Sequence, residues 1–216
     1  ETFLLKLFRG SGLTGLSGIR ISRTHRRHEQ RVRVTRPLLE CSRMEILDYL
    51  SERGLSYRTD RTNLQLDFSR NWLRHDLIPR LEARLNPSLS DTLARNARLL
   101  DEVDDYLRSE AERALKRFAL ESSDHCILPL KELMELPAAL QKMVVRQALS
   151  RFCGLKEITF RHTESILELA EKGSGRRIDL PGALRAVREF DSLRLTTEEP
   201  PPGFEQAAAP RPAVVD

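Results

Sequence analysis

The sequence is poor in cysteine: Cys41, Cys126 and Cys153 are the three in 216 residues, far apart and without a CxxC or HxxxH companion. That spacing argues against a disulfide framework or a zinc site and fits a reducing, cytoplasmic compartment. Nothing nominates a nucleophilic thiol, so the expected role of each cysteine is that of a small buried hydrophobe. No apolar run approaches the length of a membrane span and no signal peptide is visible, so no membrane partner is expected. A Walker-type Gly-Lys-Ser/Thr is missing as well. The first residue is Glu1 rather than methionine, and "ETFLLKLFR" looks like a helix already under way, as in a piece of a longer protein. With 40% hydrophobic and 31% charged residues, the composition is that of a soluble globular chain and not of a disordered one.

Lysine is scarce where positive charge is concentrated. Between Arg20 and Arg36 seven arginines and two histidines face one glutamate, Glu29. Residues 1–80 carry 16 Lys+Arg against 9 Asp+Glu, whereas the remainder carries 20 against 23, so the overall +4 is a local excess. A stripe of this kind is an electrostatic footprint for a polyanion, and arginine's planar fork suits phosphate or RNA. A solvated basic loop explains "RTHRRHEQR" equally well.

Periodicity divides the chain. Phe3, Leu4, Leu7 and Phe8 form the stripe of a first helix. Gly10, Gly12 and Gly15 match G-x-G-x-x-G, but a helix precedes them where a dinucleotide site needs a strand. A glycine helix exit with Gly10 just past the last turn is the structural alternative. "RVRVTRPLL" predicts a strand closing at Pro37. "SRMEILDYLSERG" predicts a helix with a Ser42/Glu45 capping box, an Ile46/Leu47/Leu50 stripe and a stop at Gly54. "LSYR" is a short strand candidate, and "TDRTN" a polar loop. From Pro87 onward a long helix is expected, with Leu93, Ala97, Leu100, Val103, Leu107, Ala111, Ala114 and Phe118 on one face. After a break around "ESSDHCILP", helices are expected over Pro137–Phe152 and Thr159–Glu171. Short strands with turns at Pro181–Gly182 and Asp191–Ser192 then carry Arg176, Arg177, Arg185 and Arg188, a second cationic element or ordinary edge protection. The Pro/Ala-rich end is expected to be a linker.

One helix start is unusual. A helix beginning at Ser69 places Arg70 and Arg74 on the same arc as Leu73, Leu77 and Ile78, with Asn71 at its edge and Trp72 and Asp76 pointing away. Unpaired guanidinium groups are costly to bury. Either they meet an internal carboxylate, such as Asp60 or Asp67, or snorkel past apolar neighbours. Or, with the adjacent His75, they line a pocket for phosphate, carboxylate or RNA.

Four blocks occur in order: "ETFLLKLFRGSGLTGL", "RPLLECSRMEILDYLSERGL", "YRTDRTNLQLDFSRNWLRHDLIPRL" and "GSGRRIDLPG". Together they resemble the bacterial tRNA(Ile)-lysidine synthase family, PP-loop ATPase-type ligases, from Glu1 to about Thr196. The resemblance implies an α/β remnant over 1–86, the second half of a PP-loop, Rossmann-like nucleotide-binding domain. A mostly α-helical substrate- and tRNA-binding domain with a terminal β-hairpin would follow over 87–197, then a disordered tail over 198–216. It implies ATP and Mg2+, lysine, and an isoleucine tRNA with a CAU anticodon; it leaves a homodimer open. The wobble cytidine would be adenylylated and AMP then displaced by the lysine ε-amine. By motif, Arg9, Asp60, Asn63, Arg70, Asn71, Arg74 and His75 would line the substrate and ATP pocket, with Asp60 meeting the lysine ammonium. Arg20, Arg23, Arg26, Arg27, Arg176 and Arg177 are the candidate tRNA contacts. The family's S-G-G-x-D-S loop is absent from these residues, so the catalytic residues are unknown and this chain alone is expected to be inactive. The alternatives are a non-catalytic RNA-binding module and another PP-loop tRNA-modifying enzyme such as a thiolase, which would call for paired cysteines.

Overall fold

The computed structural model describes residues 1–27, 30–58, 69–122, 124–152, 158–198 and 204–206, with backbone alone at 23–27, 30–31, 69, 152 and 206. The chain divides into two compact units, Glu1–Asp104 and Asp105–Asp216.

In the first unit, α1 (Thr2–Phe8) ends as its glycine predicts. Gly10 adopts a φ of 67°, its N–H donating to the Leu7 carbonyl while the Ser11 N–H reaches Lys6. These two bonds satisfy carbonyls that a helix end leaves orphaned. The glycine-rich run is therefore a helix exit, followed by the single turn α2 (Leu13–Leu16). Strands β1 (Ser22–Arg27) and β2 (Gln30–Thr35) form an antiparallel hairpin that carries the arginine-rich stretch. The capping box of α3 (Arg43–Glu52) is present, with Ser42 Oγ accepting from Glu45 N at 3.1 Å and Glu45 Oε2 from Ser42 N at 2.7 Å. Gly54 closes it with a φ of 60°. The expected stripe is only half-buried, and Tyr49 and Met44 are exposed. No strand forms at Leu55–Arg58, and Cys41 is exposed rather than buried. The unit's buried apolar cluster is Leu4, Leu73 and Ile78, with Phe3, Leu5, Leu77 and Leu93 against it.

The helix begun at Ser69 runs as α4 (Ser69–Trp72), a π-helical turn (Leu73–Leu77) and α5 (Ile78–Arg84). Pro79 explains the widening. It has no N–H to give, and its ring would meet the carbonyl four residues back, so a looser preceding turn relieves both conflicts. The long α6 (Leu89–Phe118) begins one residue after Ser88 and carries the boundary between the units.

The second unit is built on a sheet of order β3-β4-β7-β6-β5-β8. It is larger than the terminal hairpin expected from the sequence. The "ESSDHCILP" break supplies β3 (Leu120–Glu121) and β4 (His125–Pro129). β5 (Arg176–Asp179), β6 (Arg185–Arg188) and β7 (Ser192–Thr196) follow as a meander, with turns at the anticipated places. β8 (Glu205–Gln206) pairs parallel to β5 inside the segment expected to be a linker, most of which lies outside the described residues. Helices α7 (Leu130–Met134), α8 (Ala138–Phe152) and α9 (Phe160–Glu171) contribute to one core with the sheet and the C-terminal part of α6. Leu133, Val144, Leu149, Ile166, Leu169, Leu184, Leu193 and Leu195 are sealed from solvent there. Burying each such side chain contributes about 1.5–3 kcal/mol.

Candidate functional site

The helix of the "RNWLRH" motif departs from the face assigned to it by regular α geometry. Asn71 is buried at 8% exposure and Leu73 at 1%, whereas Arg70, Arg74 and His75 lie exposed and Trp72 is 42% exposed. Counting at a fixed 3.6 residues per turn fails across the π segment, where the hydrogen bonds span five residues instead of four. Trp72 and Asp76 do point away from the core, and they are linked: the indole Nε1 donates to Asp76 Oδ2 at 3.1 Å. Asp76 also pairs with Arg80 at 2.7 Å.

Arg74 meets Glu1. Its Nε donates to Oε1 at 2.6 Å and a terminal nitrogen to Oε2 at 3.0 Å, a fork-to-carboxylate pair bridging the start of α1 and the π turn. Burial pushes the Glu1 carboxyl up, but the hydrogen bonds and charge of Arg74, the amino terminus and Arg70 outweigh it and the net shift is downward. The hydrogen bond to Glu1 holds the Arg74 guanidinium charged. So one arginine has an internal carboxylate partner, 73 positions away in sequence and not among those anticipated. Nothing local signals a pair of that separation.

The remaining nominated residues are dispersed over three settings. Arg9 is exposed as the C-terminal cap of α1. Asp60 and Asn63, together with Asp67, lie outside the described residues. Arg20 is held by two carboxylates, Asp101 at 2.7 Å and Asp104 at 3.5 Å; Asp104 is sealed from solvent and also accepts from the Thr14 hydroxyl at 2.8 Å. An anion approaching Arg20 must share its guanidinium with that network. Arg23, Arg26 and Arg27 fall on β1, where only the backbone is described. In the second unit Arg176 is exposed, in register with Arg188 on one side and Glu205 on the other. Arg177 is half-buried, next in register to Val187.

Among the described residues no three His, Cys, Asp or Glu side chains come together as a group that could hold a metal ion. None of their helices is long and apolar enough to cross a membrane. Sequence reasoning missed a further cluster, Arg108, Arg146 and Arg151, because it is assembled from two helices whose cations look like ordinary surface charge when read singly.

Comparison with known proteins gives these positions a context. Residues 1–81 match the model of a PP-loop domain, and residues 128–193 match the model of the TilS substrate binding domain. Curated tRNA(Ile)-lysidine synthases align along most of the chain. That of Solibacter usitatus is 39% identical over 198 residues, 90% of this chain and 43% of its own length. That of Geobacter sulfurreducens is 35% identical, covering 89% and 40%; that of Symbiobacterium thermophilum is 36% identical, covering 95% and 44%. The chain thus spans less than half the length of these relatives. Over nearly all of its own length, with a PP-loop domain segment followed by a substrate-binding domain segment, the chain is similar to curated tRNA(Ile)-lysidine synthases.

Proposed function

We propose that the protein carrying this sequence joins lysine to the wobble cytidine of an isoleucine tRNA with a CAU anticodon, forming lysidine at the expense of ATP. The observation that carries the proposal is the order of the two matching segments, the first of which holds the cationic "RNWLRH" turn on a helix packed against α1. In the reaction, the base is adenylylated with loss of pyrophosphate, and the lysine ε-amine then displaces AMP. Negative charge develops on phosphoryl oxygens in both steps, and fixed cationic donors stabilise it. Arg70, Arg74 and His75 are the described candidates for that role, Asn71 a positioning residue beneath them, and Asp60 the group for the lysine ammonium. Arg9 would meet a phosphate at the end of α1. Arg176, Arg177 and the β1 arginines would contact the tRNA backbone, a salt-sensitive contribution.

Magnesium accompanying ATP would sit on the nucleotide's own phosphates. The thiolase alternative finds no support at Cys126, whose thiol burial pushes up to about 11, far from a reactive thiolate.

The test is transfer of labelled lysine to a CAU-anticodon isoleucine tRNA by the natural protein, with ATP. Incorporation that vanishes when the wobble cytidine is replaced supports the proposal. Good tRNA binding without incorporation sinks it. The 216 residues alone are expected to show no ATP–pyrophosphate exchange, because the S-G-G-x-D-S loop is not among them.

A further inference from the structure

A cleft of about 320 Å³ opens on the second unit between α6 and α8. Arg108 and Glu112 come from α6; Arg146, Gln147, Ser150 and Arg151 come from α8, with Met143, 7% exposed, beside them. The spacing is that of neighbouring helical turns, four residues apart on each helix, so each wall presents a continuous polar row. Gln147 Nε2 donates to the Arg108 carbonyl oxygen at 2.7 Å, fastening the two helices at the cleft and fixing its width.

The lining is cationic. Three guanidinium groups accompany one carboxylate, and that carboxylate is already answered by Lys116 Nζ at 3.1 Å and by Arg151 at 3.6 Å. Arg151 also pairs with Glu121 at 3.0 Å. Arg108 and Arg146 have polar contacts of their own. Each guanidinium carries five N–H donors in a planar fork, so a contact within the chain does not exhaust it. Among the described residues no aromatic ring lines the cleft, so they offer nothing for a nucleobase to stack on. The chemistry that fits is a compact oxyanion with many acceptor oxygens, larger than one phosphate.

We propose that the α6/α8 cleft is a phosphate site, built by Arg108, Arg146 and Arg151 to hold two adjacent phosphate groups, either of a free polyphosphate or of an RNA backbone. It is independent of the lysidine proposal, since it rests on the second unit alone.

Inorganic pyrophosphate titrated calorimetrically into the 216-residue chain, and a fluorescent RNA hairpin followed by anisotropy, separate the two sources. Two variants are compared with the parent: Arg108→Gln/Arg146→Gln, and Ser150→Glu, which places a carboxylate at an exposed position of the cleft wall while leaving the arginines in place. Affinity is expected to fall roughly tenfold or more in both variants, since charge-assisted hydrogen bonds are lost or opposed. A fall for RNA assigns the site to backbone phosphates. A fall for pyrophosphate with RNA unchanged assigns it to a free polyphosphate. Neither ligand losing affinity in both variants overturns the proposal.

Discussion

The two units of the chain are stabilised by different means. In the second, twenty-two buried residues form one apolar cluster between sheet and helices. In the first, the buried apolar cluster is Leu4, Leu73 and Ile78, and among the described residues fifteen large apolar side chains before residue 105 are exposed, against five after it. What holds the first unit is largely polar: the local glycine exits of α1 and α3 and the Ser42/Glu45 box, together with two contacts between residues far apart in sequence, the Glu1–Arg74 fork and the Asp104 network with Thr14 and Arg20. The difference teaches where the chain tolerates change. Cationic residues nominated for chemistry sit mostly where the backbone is held by few buried contacts, and regions of that kind open at low free-energy cost.

The contrast can be broken by substitution. Leu149→Ala in the second unit removes a fully buried side chain and is expected to cost about 2–5 kcal/mol. Hydrogen exchange should show protection lost across α8 and β4, and an effect under about 1 kcal/mol would mean the core is looser than described. Asp104→Ala in the first unit leaves the Thr14 hydroxyl and Arg20 without their buried acceptor, for about 1–3 kcal/mol. Its loss of protection should be largest at Leu13–Ser17; an unchanged α2 would show that apolar contacts, and not this carboxylate, hold that segment.

A smaller effect is pH-dependent. His162 Nδ1 accepts from the Thr159 N–H at 3.0 Å, taking the place of Glu or Gln in the capping box of α9. Burial lowers its pKa from 6.5. The cap's contribution is therefore complete above about pH 6.5 and is lost as pH falls through the lowered folded value, when the nitrogen is protonated. The loss should be about 0.5–1 kcal/mol by denaturant unfolding, and His162→Gln should abolish its pH dependence. A pH dependence that survives this replacement would place the titration elsewhere.

Legibility in the sequence followed the range of the interactions. The cap of α3, the stop at Gly10 and the turns at Pro181 and Asp191 depend on neighbours within a few residues, and the structure has them where the sequence puts them. The strands β3 and β4 were missed because two and five residues next to a polar run carry little periodicity, and β7, the partner that ties β4 into the sheet, lies about seventy positions onward. The π turn was foreshadowed by Pro79 alone. Two arginines near a hydrophobic arc were legible as a question, but the answer for Arg74 lay with Glu1, which no spacing rule connects to it.

The central claim is that the "RNWLRH" turn serves substrate and not merely the fold. Its most direct measurement is lysine transfer by the natural protein carrying Arg74→Ala, made alongside thermal unfolding. A half-exposed ion pair contributes about 1 kcal/mol or less to stability, so a small shift in Tm is expected. If the turn acts on substrate, transfer falls by about 100-fold while the fold persists. Undiminished transfer with a lowered Tm would contradict the account and reduce Arg74 to a structural partner of Glu1.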